Sequence, residues 1–240
     1  MNIVSFSGGK DSTAMLLMMI ERKIAVDRVI CVDTTKEFPA MYKHITKVQK
    51  MCPVKIEIVK IDFDYWFGEH VKTKGKNIGK KGYGFPDFRN RWCTALKQEA
   101  YGKLSASLPY NPKKRGGVNC IPRYSIEYLG IAFDEKRRTG NNKGKGRNIR
   151  YPLVEWKITE EQALEYCYSK GLDWGGLYEK FHRVSCWCCP LSRIAELRVL
   201  YTDFPDLWEE LQEMDKRSFR KFRSDYSVAD LTERFANENL

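Results

Sequence analysis

The stretch that most constrains the fold of this chain is Ser7-Gly8-Gly9-Lys10-Asp11-Ser12, because of what flanks it. Ahead of it, Ile3-Val4-Ser5-Phe6 reads as a buried strand. Behind it, Thr13-Ala14-Met15-Leu16-Leu17-Met18-Met19-Ile20 is long and apolar enough for a core helix. A strand, a Gly-Gly turn and a helix start together make an anion site. Glycine reaches backbone angles closed to other residues, and the unbonded amides of the first helical turn face a ligand with the helix dipole behind them. Lys10 adds a point charge, and Ser7 and Ser12 add hydroxyl donors. The residue order differs from the G-x-x-x-x-G-K-S/T of a Walker loop.

Strands are expected at 2–6, 28–33, 55–61 and 126–132, each short and rich in Val and Ile. Helices are expected near 12–23, 39–51, 91–106, 159–170 and 191–217, with Thr159 and Gln162 forming a capping box at the fourth. Such alternation predicts an α/β fold: a parallel twisted sheet with right-handed crossovers, flanked by helices. Ligands of such sheets bind at the carboxyl ends of strands, where the hexapeptide lies. The second strand ends at Asp33-Thr34, which puts both residues beside it. Residues 1–150 are expected to form a nucleotide-binding domain, and 151–240 a helical, Cys-rich C-terminal subdomain.

The net charge of +11 is unevenly spread. Residues 72–91 hold seven basic side chains (Lys72, Lys74, Lys76, Lys80, Lys81, Arg89, Arg91) against Asp87. Residues 136–150 hold seven more (Lys136, Arg137, Arg138, Lys143, Lys145, Arg147, Arg150) and no acid. These stretches carry +6 and +7, so the rest of the chain carries −2. Both are Gly-containing and read as loops, with Lys113-Lys114-Arg115 in a third. Basic loops on a nucleotide-binding chain point to phosphates, of a nucleotide or of a nucleic acid, and Tyr83, Phe85, Phe88 and Trp92 are candidates to stack on bases. No apolar run approaches the length of a membrane span, and the first residues read as strand and phosphate loop rather than a secretory signal. Eight unevenly spaced cysteines beside an intracellular-type motif favour reduced thiols or metal ligands, so a cytoplasmic location is expected.

The hexapeptide matches the PP-loop of the ATP pyrophosphatases, the adenine-nucleotide alpha-hydrolase superfamily. Further segments, in order, resemble its phosphoadenosine-phosphosulfate-reductase branch. They are Asp33-Thr34 with Glu37-Phe38-Pro39, Arg91-Trp92-Cys93-Thr94 with Leu96-Lys97, and Leu129-Gly130-Ile131-Ala132-Phe133-Asp134-Glu135-Lys136-Arg137-Arg138. Tyr151-Pro152-Leu153 with Trp156, and Cys186-Trp187-Cys188-Cys189-Pro190, complete the series. The resemblance implies a Rossmann-like, HUP-type fold. It implies that Ser7 to Ser12 hold the terminal pyrophosphate of ATP while a nucleophile attacks the alpha-phosphate. Magnesium would enter through Asp11 or Asp33, and Lys10, Asp11, Lys97 and Arg137 or Arg138 would assist departure. Asp33, Thr34, Gly130 and Ile131 would line the nucleotide, with Gly130 admitting it by its lack of a side chain.

The C-x-x-C of Cys186 and Cys189 lets both sulfurs reach one metal or cluster, and Cys93 and Cys120 bring thiols from other segments. Such a set suits an iron–sulfur cluster or a structural zinc. The fourth ligand is open between Cys120, Cys188 and a free position. Cys31, Cys52 and Cys167 lie in apolar surroundings and read as buried small hydrophobes. The resemblance favours the cluster, and with it an enzyme that adenylates an acceptor for sulfur transfer to nucleic acid, fed by a sulfur-donor protein, similar to DNA-phosphorothioation and tRNA-thiolating ATPases. Two alternatives remain. One is a phosphoadenosine phosphosulfate or adenylylsulfate reductase releasing sulfite, for which Cys188 is the spare thiol, since the 51 residues after Cys189 hold no cysteine. The other is a basic nucleic-acid-binding module with a structural zinc and a degenerate nucleotide site.

Overall fold

The computed structural model describes residues 1–75, 77–106, 125–142 and 148–238. Of the residues singled out above, Cys120, Lys76, Lys113 to Arg115, Lys143, Lys145 and Arg147 lie outside the described residues. By its internal contacts the chain divides into two compact units that interleave in sequence, so neither coincides with 1–150 or 151–240. One comprises Met1–Asp33, Pro39–Ile61 and Lys97–Leu177; the other comprises Thr34–Phe38, Asp62–Leu96 and Tyr178–Leu240.

The first unit carries five strands, β1 (Asn2–Ser5), β2 (Arg28–Asp33), β3 (Ile56–Lys60), β4 (Ile126–Leu129) and β5 (Asn148–Arg150), in the order β3-β2-β1-β4-β5 with every pairing parallel. This is the α/β sheet expected from the strand–helix alternation. The order reverses at β1, which lies between β2 and β4, and such a switch point is where open parallel sheets place their ligands. Helix α1 (Lys10–Glu21) is buried from Ser12 to Met19, as its all-round apolar sequence requires. Helix α2 (Pro39–Met51) instead buries one face, Met41, His44, Ile45 and Val48, at helical spacing. Helix α5 (Glu160–Ser169) packs on α1 and starts at the expected box, with the Gln162 amide on Thr159 Oγ1 at 3.2 Å and the Thr159 amide on Gln162 Oε1 at 3.0 Å.

Several boundaries depart from expectation. The strand expected over 126–132 stops at Leu129, because the Ile131 amide bonds Leu129 O at 3.0 Å and turns the chain at Gly130. The basic stretch 136–150 is not simply a loop. It begins within a 3-10 segment, Phe133–Asn142, and ends in β5, which is too short and polar to read as a strand. Helix α3 (Trp92–Ala106) lies where expected, and the four-residue α4 (Pro152–Glu155) follows β5.

In the second unit, the single helix expected over 191–217 is two, α7 (Ile194–Asp203) and α8 (Pro205–Arg217). Pro205 cannot continue a helix but starts one well, and Phe204 before it takes the extended φ of −134° that a following proline favours. The short α6 (Leu177–Lys180) precedes them, and α9 (Val228–Glu238) closes the chain by burying Val228, Leu231 and Phe235. Trp208 of α8 meets Tyr201 of α7 and Phe235 of α9 at ring separations of 5.4 and 5.8 Å. Among the described residues no helix is long and apolar enough to cross a membrane.

Candidate functional site

In the first unit the hexapeptide joins β1 to α1, as its sequence predicts. Gly9 is the N-cap of α1, and no side chain caps the helix. The amides of such a first turn, with the helix dipole behind them, suit an anion. Gly8 takes a left-handed φ of +78°, and a Cβ there would lie 2.9 Å from Met41 Sδ and 3.3 Å from Ile45 Cγ1. Its carbonyl accepts a hydrogen bond from Trp174 Nε1 at 2.8 Å, and Trp174 stacks on His44 at 4.1 Å. His44 Nε2 lies 3.0 Å from Thr13 Oγ1, while its Nδ1 is buried without a partner. Burial holds the His44 imidazole neutral, with its pKa lowered to about 4. This layer fixes the loop from beneath. Cys167 belongs to it, buried with its thiol on Lys10 O at 3.6 Å, and Cys31 and Cys52 are buried as expected.

Above that layer the polar groups are clasped together. Ser7 and Ser12 hydroxyls lie 3.0 Å apart, Ser12 Oγ accepts from the Ser7 amide at 3.2 Å, and it lies 3.1 Å from Gly9 O as a donor. Lys10 is only 9% exposed. Its ammonium lies 3.0 Å from Glu160 Oε2 and 3.4 Å from Asp11 Oδ2. Asp11, Glu135 and Glu160 each bring a carboxylate oxygen within 4.8 Å of the others. Burial, opposed by Lys10 and reinforced by Glu160 and Glu135, raises the Asp11 pKa to about 6. Asp11 Oδ1 is buried with no hydrogen-bond partner. Three carboxylates around one lysine leave a field hostile to a bare polyphosphate and receptive to a divalent cation.

Glu160 and Glu135 were not expected here. Asp134 accepts the Glu160 amide at 3.2 Å, and Glu135 pairs with Arg138. The Asp134-Glu135…Arg138 segment therefore braces the loop through its acids. Gly130 has a packing role that was not expected: a Cβ there would lie 2.8 Å from Ser12 N and Cα and 2.9 Å from Asp11 C. The missing side chain admits the start of α1, since the nearest neighbours are the loop's own backbone. Ile131 is buried beside it, Arg137 is exposed on the 3-10 segment, and Lys97 is half-buried on α3. Asp33 is buried and accepts from Tyr42 Oη at 3.1 Å.

Cys93, Cys186, Cys188 and Cys189 belong to the second unit. Thr35 takes a left-handed φ of +62°, costly for a β-branched residue. The turn is held by Lys36, whose ammonium meets Glu210 at 2.6 Å and Asp64 at 2.9 Å. Burial works against the Lys36 charge, and these two partners more than offset it, so its pKa is raised. Lys36 O also accepts the Trp187 amide at 3.1 Å, which ties the turn to the Cys186–Cys189 segment. Thr34, expected beside the loop, has its hydroxyl 3.1 Å from Cys186 Sγ, and the Cys186 thiol donates to Glu37 Oε1 at 3.4 Å. Cys188 is 2% exposed, and burial, with Cys186 and Cys189 nearby, raises its pKa well above the ordinary thiol value. The Cys189 thiol is also raised, first by its low-dielectric surroundings and further by Cys93, against Arg91 and Arg183. Cys93, Cys186, Cys188 and Cys189 thus form one electrostatically connected chain of thiols. Among the described residues no three thiols lie mutually within 4.8 Å. A single zinc would draw its sulfurs closer than that, with Zn–S bonds of about 2.3 Å.

Compared with known proteins, residues 1–110 match the phosphoadenosine phosphosulfate reductase domain family. Two uncharacterized proteins of Methanocaldococcus jannaschii are similar over 218 residues. One is 24% identical over 87% of this chain, the other 27% identical over 89%. The chain spans 40% and 47% of their lengths, less than half of each. A U34-tRNA thiolase from Methanococcus maripaludis, solved with its 4Fe–4S cluster, superposes on 99% of this chain and 71% of its own, with a TM-score of 0.46 at 14% identity. It is residues 1–110, with the loop at their head, that carry the likeness to the phosphoadenosine-phosphosulfate-reductase-like branch of the PP-loop superfamily.

Proposed function

We propose that this chain is a PP-loop ATP pyrophosphatase that adenylates an acceptor, in the service of sulfur transfer to a nucleic acid. The observation that carries the reading is the uncapped start of α1, set behind a left-handed glycine at the switch point of the sheet. In the proposed reaction an acceptor oxygen attacks the alpha-phosphorus of ATP. The bond from that phosphorus to the bridging oxygen breaks, and the electron pair leaves with pyrophosphate. The first-turn amides and the Ser7 and Ser12 hydroxyls hold the leaving group, exchanging their mutual bond for phosphate oxygens. Lys10 exchanges Glu160 for the same oxygens. Such catalysis is positioning and charge stabilisation more than covalent chemistry.

The carboxylates of Asp11, Glu135 and Glu160 fit a hard divalent cation, and the unpartnered Asp11 Oδ1 is an oxygen donor in want of a charge. Bound there, magnesium would neutralise the pyrophosphate. Asp33, satisfied by Tyr42, fits that role less well. In the second unit Cys93, Cys186 and Cys189 are the proposed cluster ligands, with the fourth position left to Cys120, Cys188 or an exogenous ligand. Bound there, a cluster would supply a site to bind or carry sulfur. Thr34 and Glu37 orient Cys186 through the contacts above. The reductase reading is disfavoured by Cys188, since a buried, protonated thiol is a poor nucleophile.

The test is release of AMP and pyrophosphate from ATP and magnesium by anaerobically purified protein, with and without single-stranded RNA. Lys10→Ala should reduce turnover at least about tenfold while leaving the fold intact. Unchanged turnover in that variant would place the reaction elsewhere. Iron and acid-labile sulfide in the same preparation support the cluster, whereas stoichiometric zinc would remove it.

A further inference from the structure

The second unit holds a cavity of about 470 Å³ that the proposed reaction does not use. It forms where the basic stretch 72–91, a loop as expected, folds back on itself. The segment Tyr65–Glu69 is a π-helix, and Val71 bridges Lys81 in antiparallel fashion. The Lys72 amide bonds Lys80 O at 3.0 Å and the Tyr83 amide bonds Trp66 O at 3.0 Å, which folds the stretch back on itself. Gly84, with φ +63°, lets residues 218–220 approach: a Cβ there would lie 3.1 Å from Arg220 Cγ and 3.2 Å from Phe219 Cε1. Lys72, Lys74, Tyr83, Asn90, Phe219 and Arg220 line the resulting space.

The lining has three cations and no acid. Lys72 Nζ lies 4.6 Å from the Phe219 ring centre and 5.5 Å from that of Tyr83. Its pKa is lowered by burial and by the charges of Arg220 and Lys80, strain that a bound anion relieves. Arg220 is held in place by Asp87. Phe219 is 64% exposed beside Lys72, a ring accessible to a stacking partner. Of the aromatics expected to meet bases, Phe85 and Trp92 are core residues instead. Tyr83 lines the cavity, and Phe88 is 82% exposed. Lys80, Lys81, Arg89 and Arg91 are exposed on the same unit.

We propose that this cavity takes one unstacked nucleotide of a single-stranded nucleic acid, its base against Phe219 and Tyr83 and its phosphate among Lys72, Lys74 and Arg220. Rings supply a sequence-tolerant stacking face, cations meet the backbone, and Asn90 reads a base edge. The cavity volume suits one nucleotide, and the exposed cations of the same unit suit the strand that carries it. The inference rests on the reading of nucleic acid as the acceptor, and adds where its strand is gripped.

The experiment is anisotropy of a labelled short single strand, as RNA and as DNA of the same sequence, with the full chain, without ATP and over a range of salt. Phe219→Ala should weaken binding about tenfold with the salt slope unchanged, and Phe219→Trp should retain it. Lys74→Ala should flatten the slope by about 0.7. Lys103→Ala, which removes an exposed cation of the other unit, should change affinity less than about twofold. The tighter of RNA and DNA identifies the source of the strand. Wild-type binding by both Phe219→Ala and Lys74→Ala, equal binding of a duplex, or competition by free AMP as strong as by the strand would each overturn the proposal. Pyrophosphate release is assayed separately: its absence with cavity-dependent binding intact would refute the ATP reaction alone, and its presence without such binding would refute the cavity alone.

Discussion

Gly130→Ala separates a glycine needed for packing from one needed for nucleotide access. The added methyl would stand 2.8 Å from two backbone atoms of Ser12, against an ordinary contact of at least 3.4 Å, so the chain must yield by about 0.6 Å. Because the obstructing atoms are backbone at the start of α1, no side chain can rotate to relieve the overlap. Overpacking of this kind costs about 1–3 kcal/mol. For a chain of this size that lowers Tm by roughly 2–12 °C. The displaced residues are those whose amides would face the proposed nucleotide, so nucleotide affinity should fall with stability, by at least about tenfold. Thermal melts with and without magnesium–ATP read both effects, since a ligand raises Tm in proportion to its occupancy. Gly102→Ala is the control, on α3 with nothing within 4 Å of its added methyl. It should be stabilising by up to about 1 kcal/mol, through helix propensity alone. If the Gly130 variant melts and binds like wild type, or if the two glycines respond alike, the packing argument is wrong.

Two buried groups near the loop should give opposing pH dependences. The Asp11 pKa is raised from 3.8 to about 6, so the folded state holds that proton more tightly and stability falls as pH rises through this window, by about 3 kcal/mol in all. The His44 pKa is lowered from 6.5 to about 4, so the unfolded state takes up that proton first and stability falls as pH drops through its window, by a similar amount. In urea denaturation across pH, Asp11→Asn should therefore gain stability over wild type above pH 6 and none below pH 4, while His44→Gln should lose the acid-side decline; parallel profiles would refute both assignments. Trp174→Phe removes the 2.8 Å donor to the Gly8 carbonyl and leaves it the 3.4 Å bond from Thr13 Oγ1, at a cost of about 0.5–1.5 kcal/mol. Calorimetric titration of that variant should show weaker nucleotide binding, and unchanged affinity would mean that the tether does not shape the loop.

The strand–loop–helix unit was legible because everything that makes it is local. Apolar runs, two glycines and a helix start lie in one stretch of chain, and the structure places Ser7 to Ser12 as expected. The capping box at Thr159 was legible for the same reason. The boundary at Pro205 was equally local and was overlooked, although the proline itself marks it. Glu160 was beyond local reading: it meets Lys10 across 150 residues, and only the packing of α5 on α1 brings them together. Trp174 reaches Gly8 across 166 residues in the same way. Phe219 and Arg220 carry no motif, and their place beside Lys72 depends on the left-handed turn at Gly84.

By itself the sequence determined the class of sheet and the position of the glycine-rich loop, since periodicity, glycine and caps act over a few residues. The tertiary structure decided the electrostatic state of that loop: which acids surround Lys10, that Asp11 is driven toward protonation, and that Gly130 faces backbone. It also decided which aromatics are core and which are exposed. Charge and burial are set by neighbours distant in the chain, and no local pattern encodes where those neighbours lie.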